Sequence, residues 1–241
     1  MLSGISERKI FIFWTGGNEM PPARRDCLRS IRENSGAEVV LVTPRNLKEY
    51  LIEGHPLHEA YNYLSYTHKA DYLRCYFMHH YGGGYSDIKQ IDFDWNPYFS
   101  KIDLDNDIWA IGYPEIGPEG VAAPPGMVDE IKKQWFKLIG QCAYIFRADT
   151  PLTLEWYTEL HRELDNNLQT LKRHPARHPQ DRYRKKPENR LLRILAFGLY
   201  RSKYPLRWAQ ILGEISHPLF LKYTHKICNE LPPPDFHIPY R

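Results

Sequence analysis

Two ionisable residues three apart, Asp71 and Arg74, stand in the run His68-Lys-Ala-Asp71-Tyr-Leu-Arg74. Seven residues beyond Arg74, the chain reads Tyr81-Gly-Gly-Gly-Tyr85-Ser-Asp87-Ile-Lys89. On a helix, positions three apart project from neighbouring points of one face. An exposed pair of that kind contributes only a few tenths of a kcal/mol, so the pair alone signifies little. The glycine triplet and the acid and lysine beyond it change the weighing. Alternation along a strand puts Asp87 and Lys89 on the same face, and parallel α/β sheets gather ligands at the carboxyl ends of their strands. A guanidinium, an ammonium and carboxylates gathered there suit a diphosphate. Departure of a diphosphate needs its charge met by a divalent cation on carboxylates or by fixed cationic side chains.

The elements that would position these residues are legible. Lys9–Trp14 (KIFIFW) is a compact apolar run closed by Thr15-Gly-Gly-Asn18 and reads as a buried first strand feeding a glycine loop. Pro21 and Pro22 sit where a helix begins, with Cys27, Leu28 and Ile31 at helical spacing. Ala37–Thr43 is a second strand stopped by Pro44, and Asn46–Ile52 a short helix. Strand and helix alternating in this way predict an α/β sheet with parallel strands. A helix is expected over Tyr66–Tyr81, with Ala70, Leu73, Phe77 and Tyr81 on one face, ended by glycines that accept left-handed backbone angles. Strands are expected at Tyr85–Lys89, Asp107–Tyr113 and Gln141–Arg147. A long helix is expected from Asp149-Thr150-Pro151 to about Asn166. Lys172–Lys186 reads as a loop, Leu191–Tyr200 as an amphipathic basic helix, and the proline-rich stretch His217–Arg241 as a wrapping segment.

With those residues in place, the chain resembles the capsular polysaccharide synthesis family of glycosyltransferases, related to the group that carries a D-x-D motif after DxxRxxxLxxxGGxYxD. The resemblance runs from Lys9 to Arg147 and extends toward Pro218. It implies one Rossmann-like domain of GT-A type over residues 1–241, with a central, mostly parallel sheet and a helical, loop-rich C-terminal part. It implies a nucleotide-sugar donor, UDP-linked by preference, with Trp14 and Thr15 near the base. Asp71, Arg74, Tyr85 and Lys89 would hold the donor, and Asp87 would be the first acid of the motif. Retention of configuration is expected by analogy, and the acceptor would be a bacterial capsule or lipopolysaccharide glycan.

The chain departs from that pattern at Lys89, which gives Asp-Ile-Lys in place of Asp-x-Asp. Two readings stand. Lys89 supplies charge that a metal ordinarily brings, or Asp87 binds Mn²⁺ or Mg²⁺ with another ligand, His217 being the candidate. Asp92-Phe-Asp94 repeats the D-x-D spacing after the expected strand, where a capping or surface role is the simpler account. Asp87, Gln141 and Glu214 are the catalytic candidates. Gln141 is placed near the anomeric carbon by the resemblance, although a structural amide is nearly as natural. Glu214 and His217 lie in Gly213–Pro218, read as turn-rich. An inverting reaction needs a carboxylate base, for which Glu115, Asp129 and Glu214 stay open. The Gly/Pro-rich loop Gly112–Met127 would either line the acceptor side or merely connect.

Composition narrows the field. The 42% hydrophobic and 25% charged content is that of a globular chain, not a disordered one. The four cysteines have no metal-ligand spacing and fit reduced thiols. With no apolar run of membrane-spanning length and no signal-like N-terminus, a cytoplasmic protein is expected. Charge is uneven: Lys172–Arg207 holds twelve Lys or Arg against Asp181 and Glu188, although the whole chain is only +3. That segment, read as a membrane- or acceptor-facing insertion, suits the anionic inner face of a membrane, a lipid-linked glycan, or plain solvent. Nucleic-acid binding is the rival from another class. It gives no role to Asp71, Arg74 and Asp87 and lacks a motif, so no nucleic acid is expected. A catalytically inactive relative that still binds nucleotide or glycan is the remaining alternative.

Overall fold

A computed structural model describes residues 8–184 and 202–237. Its elements in chain order begin with β1 (Lys9–Phe13), α1 (Pro22–Asn34) and β2 (Glu38–Val42). They continue with α2 (Tyr66–His80), β3 (Gly83–Ser86), α3 (Asn96–Leu104), β4 (Ala110–Pro114) and α4 (Val128–Lys132). The chain goes on through β5 (Ile139–Phe146), α5 (Pro151–Arg173), α6 (Gly213–Lys222) and β6 (Ile227–Cys228). The six strands form one sheet in the order β2-β1-β3-β5-β4-β6. β1 pairs parallel with β2 and β3, and β4 with β6, whereas β5 is antiparallel to both its neighbours. Five strands therefore point one way and β5 alone runs against them, so the fold is the α/β, mostly parallel arrangement expected.

Alternation along each strand divides the core. Phe11 and Phe13 on β1, and Tyr144 and Phe146 on β5, join Phe77 of α2 and Trp156 of α5 on one side of the sheet. Ile10, Ile12, Ala143 and Ile145 face the other way, onto Cys27 and Ile31 of α1 and Phe99 of α3. Because both faces are covered, the strands read as continuous apolar runs. At the extremes of burial lie Trp95 and Trp156, both fully covered. Each such aromatic removes a large apolar area from water, and truncating one costs about 3–5 kcal/mol.

The glycine triplet has a steric cause. Gly82 takes φ +66° and Gly83 φ +79° as the chain leaves α2 and enters the sheet between β1 and β5. A Cβ on Gly83 would stand 2.9 Å from the Lys9 carbonyl oxygen, and one on Gly82 2.7 Å from the Ala148 nitrogen. The strand thus begins inside the triplet and ends at Ser86, which corrects the expectation of a strand over Tyr85–Lys89. Asp87 still donates its amide to the Cys142 carbonyl (2.7 Å), but Lys89 turns back to donate its amide to the Asp87 carbonyl (2.7 Å). Asp87 and Lys89 therefore flank a tight i→i+2 turn and do not share a strand face.

Other boundaries also move. The Asn46–Ile52 helix is a single 3₁₀ turn at Leu47–Tyr50. α5, capped reciprocally by Thr150 and Thr153, runs on to Arg173. Gly213–Pro218 is not turn-rich but opens α6, which tolerates Pro218 inside it. Asp94 accepts from the Asn96 amide (2.8 Å) at the start of α3, a capping role, and Asp92 is exposed. The helix expected at Leu191–Tyr200, with the middle of the basic segment, lies outside the described residues. Among the described residues no helix is long and apolar enough to cross a membrane.

Candidate functional site

The shared strand direction collects the ends of β1, β3, β4 and β6 and the start of β5 at one edge of the sheet. α2 begins at this edge, because it leads into the opposite end of β3. Ser65 caps it, its hydroxyl accepting from the His68 amide (3.3 Å), and Thr15 at the end of β1 donates to the Tyr66 carbonyl (2.6 Å). His68 then ties the helix to the segment 202–208: its Nε2 lies 3.0 Å from the Arg207 carbonyl and its Nδ1 2.9 Å from the Tyr204 hydroxyl. Donation from Nε2 leaves Nδ1 to accept, so one neutral tautomer satisfies both bonds. Burial lowers the His68 pKa to about 4, which keeps that tautomer in place.

Six residues further along the helix, Arg74 reaches the strand edge. Its Nη2 donates to Asp87 Oδ1 at 3.0 Å and its Nη1 to the Gln141 carbonyl at 3.1 Å. The guanidinium carbon lies 4.5 Å from the centre of the Tyr85 ring, and the Tyr85 hydroxyl donates to the same Asp87 oxygen at 2.5 Å. Asp71 lies 3.8 Å from Arg74 and is almost wholly buried. Burial pushes the Asp71 carboxyl up to about 7, with Arg74 opposing and Asp87 reinforcing the rise. Burial likewise holds the Tyr85 phenol well above its ordinary range, so it stays a donor. The result is one cation, fixed by a carboxylate, a phenol and a backbone carbonyl, at the carboxyl end of a central strand.

Lys89, two residues on from Asp87, is 5% exposed, with Nζ 4.9 Å from the centre of the Phe236 ring. The segment carrying Phe236 is laid along the edge by backbone bonds from Leu231 to Gly112 (3.1 Å) and from Asp235 to Gln90 (2.9 Å). Arg24 of α1, 2% exposed, donates to the Ile88 carbonyl and so braces the Asp87–Lys89 turn from beneath. Sequence reasoning passed over Arg24. The available signal was its place on the apolar face of α1, at i, i+3, i+4, i+7 with Cys27, Leu28 and Ile31.

Gln141 extends the group, since its Nε2 donates to the Ser216 hydroxyl at 2.7 Å. His217 follows Ser216 and is fully buried, with Nδ1 2.9 Å from the Ala122 carbonyl and 3.1 Å from its amide. Burial lowers the His217 pKa to about 4. Gln141 Oε1, Arg74 Nε, Tyr144 Oη and His217 Nε2 are buried without a hydrogen-bond partner among the described residues. Such orphaned atoms are uncommon in native proteins.

The remaining candidates make other contacts. Glu214 accepts from Arg207 (Nε to Oε1, 3.0 Å) in the groove between α5 and α6. Trp14 donates Nε1 to the Asn18 carbonyl (2.9 Å). Glu115 is buried, which raises its pKa, and Asp129 is exposed on α4. A divalent cation needs several converging oxygen or nitrogen donors. Among the described residues no group of three or more His, Cys, Asp or Glu side chains is placed to hold a metal. Asp87 Oδ1 is already engaged by a guanidinium and a phenol. The side chains gathered here do not by themselves make a divalent site.

Residues 3–88 match the family model described as capsular polysaccharide synthesis protein. Over that stretch, about a third of the chain, it is similar to the capsular polysaccharide synthesis family. The matched stretch takes in Trp14, Thr15, Asp71, Arg74, Tyr85 and Asp87 and stops one residue before Lys89. No curated protein matches the chain.

Proposed function

We propose that this protein is a glycosyltransferase that moves a sugar from a nucleotide-sugar donor, UDP-linked by preference, to a bacterial surface glycan. The observation that carries this reading is the Arg74 guanidinium, held by Asp87, Tyr85 and the Gln141 carbonyl at the carboxyl edge of β3. In the reaction the bond from the sugar C1 to the β-phosphate oxygen breaks, and the acceptor oxygen bonds to C1 and gives up its proton to solvent. The diphosphate leaves with added negative charge. Fixed cations aimed at that charge lower the barrier, because they need no reorganisation as the charge develops. Arg74 and Lys89 supply the cations, and Asp87 and Tyr85 keep Arg74 in one orientation. Arg24 holds the turn between Asp87 and Lys89. The glycan acceptor approaches from the Gly112–Met127 side, with Gln141 nearest the sugar, and retention is the favoured outcome.

Calorimetric titration of UDP-, GDP- and CMP-sugars, each with Mn²⁺ and with EDTA, tests this. Binding of one UDP-sugar that survives EDTA and is lost in Asp87→Ala and Lys89→Ala supports the cationic site. Binding only with Mn²⁺ would overturn the assignment of charge to lysine and arginine. No binding of any nucleotide sugar would sink the transferase reading.

A further inference from the structure

A second group of cations lies near the N-terminus of α2. A pocket of about 610 Å³ is lined by Arg173, Arg177, Lys203, His174 and His178, with Tyr204 at its inner wall. The loop that shapes it is firmly built. Asp181 Oδ2 accepts from the backbone amides of Arg177 (2.7 Å) and His178 (3.1 Å), so the one carboxylate on the pocket wall is turned to the backbone. Ala176 donates its amide to the Tyr63 carbonyl (3.0 Å), and Thr67 at the start of α2 donates its amide to the Pro179 carbonyl (3.2 Å). Tyr204 is 1% exposed and bonds to His68, three residues before Asp71 on the same helix. The pocket therefore flanks the N-terminus of α2, whose next turn carries the donor group. Arg173, Arg177 and Lys203 are exposed, and no ion pair to a carboxylate is found for any of them among the described residues. Three cations around one cavity repel one another unless an anion sits among them.

We propose that this pocket binds a phosphate group of the acceptor, so that the glycan to be extended is a phosphorylated one. This deepens the transferase reading and rests on it for the word acceptor, but not for the binding of phosphate. A phosphate offers three oxygens to two forked guanidinium groups and an ammonium, and arginine meets such oxygens two at a time. Docked here, it fixes the far end of the acceptor while Arg74 and Lys89 fix the donor diphosphate. Holding both reactants in one orientation converts an encounter between them into an intramolecular step. The phosphate has two possible sources, a soluble sugar phosphate or the headgroup of a lipid-linked glycan, and both present the same dianionic or monoanionic oxygens.

The test uses the full chain and two probes. Inorganic phosphate is titrated while the Cε1–H NMR signals of His174 and His178 are followed. Flotation is measured with vesicles of phosphatidylcholine containing phosphatidylglycerol. Wild type is compared with Arg177→Ala/Lys203→Ala and with the charge-keeping Arg177→Lys, and UDP titration serves as the donor-site control. Saturable shifts with inorganic phosphate, weakened about tenfold or more in the double variant and largely kept in Arg177→Lys, establish a soluble phosphate site; tenfold is one charge-assisted contact. Vesicle binding lost in the double variant, without saturable phosphate binding, assigns the site to a lipid headgroup. If neither probe distinguishes the double variant from wild type, the proposal is overturned. UDP binding unchanged in that case leaves the donor site standing. Phosphate binding without any nucleotide binding fails the transferase reading alone.

Discussion

Replacing Arg74 by methionine keeps the bulk and helix propensity of the side chain and removes its charge. The side chains of Arg74, Asp87 and Asp71 are 11%, 12% and 3% exposed. Removing one partner of a buried pair costs about 3–5 kcal/mol, because the other charge is left uncompensated. Here the loss falls unevenly. Asp71 already has its carboxyl pushed up to about 7 and takes a proton readily, and Asp87 keeps the Tyr85 hydroxyl as a donor. The lower end, about 3 kcal/mol, is therefore expected. For a chain of this size each kcal/mol moves the midpoint by about 2–4 °C, giving a fall of about 6–12 °C at pH 7.5. Arg74→Met/Asp87→Asn removes both charges and should recover more than half of that loss, which a double-mutant cycle in urea measures directly. Neither protein should bind the donor. A single variant within about 1 kcal/mol of wild type, or a double variant no more stable than the single one, would refute the claim that Arg74 and Asp87 act as a buried, mutually dependent pair.

Buried neutral His68 makes stability acid-sensitive. Its pKa is about 4 in the folded chain against an ordinary 6.5, so the unfolded chain binds more protons between those values. Stability is then lost as pH falls from about 6.5 to 4, by up to about 1.4 kcal/mol per pH unit, and His68→Gln should flatten that slope in urea titrations at pH 7 and 5. An unchanged slope would contradict the burial argument. Gly83→Ala forces a side chain into φ +79° and against the Lys9 carbonyl; left-handed geometry alone costs about 1–2 kcal/mol, so a midpoint shift under 2 °C in calorimetry would show that the β1–β3 approach is looser than described. Tyr85→Phe removes the hydroxyl that meets Asp87 and should cost about 1.5–3 kcal/mol in urea unfolding while lowering donor affinity less than Lys89→Ala does. Arg24→Met should leave the protein folded but weaken UDP binding through the Asp87–Lys89 turn, read as a change in calorimetric affinity; equal affinity would assign Arg24 to the core alone.

Much was legible in the residues themselves. The apolar runs at Lys9–Phe13 and Glu38–Val42, the glycine stop after α2 and the Thr150-Pro151 helix start are local events, set by side-chain shape and by the few residues that accept unusual backbone angles. The Asp71, Arg74 and Asp87 spacing was visible for the same reason, since a helix turn and a glycine exit fix their separation along the chain. What only the tertiary structure decided depends on partners far away in sequence. Asp87 and Lys89 leave the strand because Arg24, more than sixty residues earlier, takes the Ile88 carbonyl. β5 runs against its neighbours, which brings Gln141 to the edge where Arg74 arrives, and Ser216 of α6 accepts from Gln141 there. Gly213–Pro218 becomes helical although its proline argues against it, because Ser216, His217, Leu219 and Phe220 are buried there. Local propensity amounts to a few tenths of a kcal/mol per residue, and burying a large side chain to about 2 kcal/mol. Where the two disagreed, burial decided.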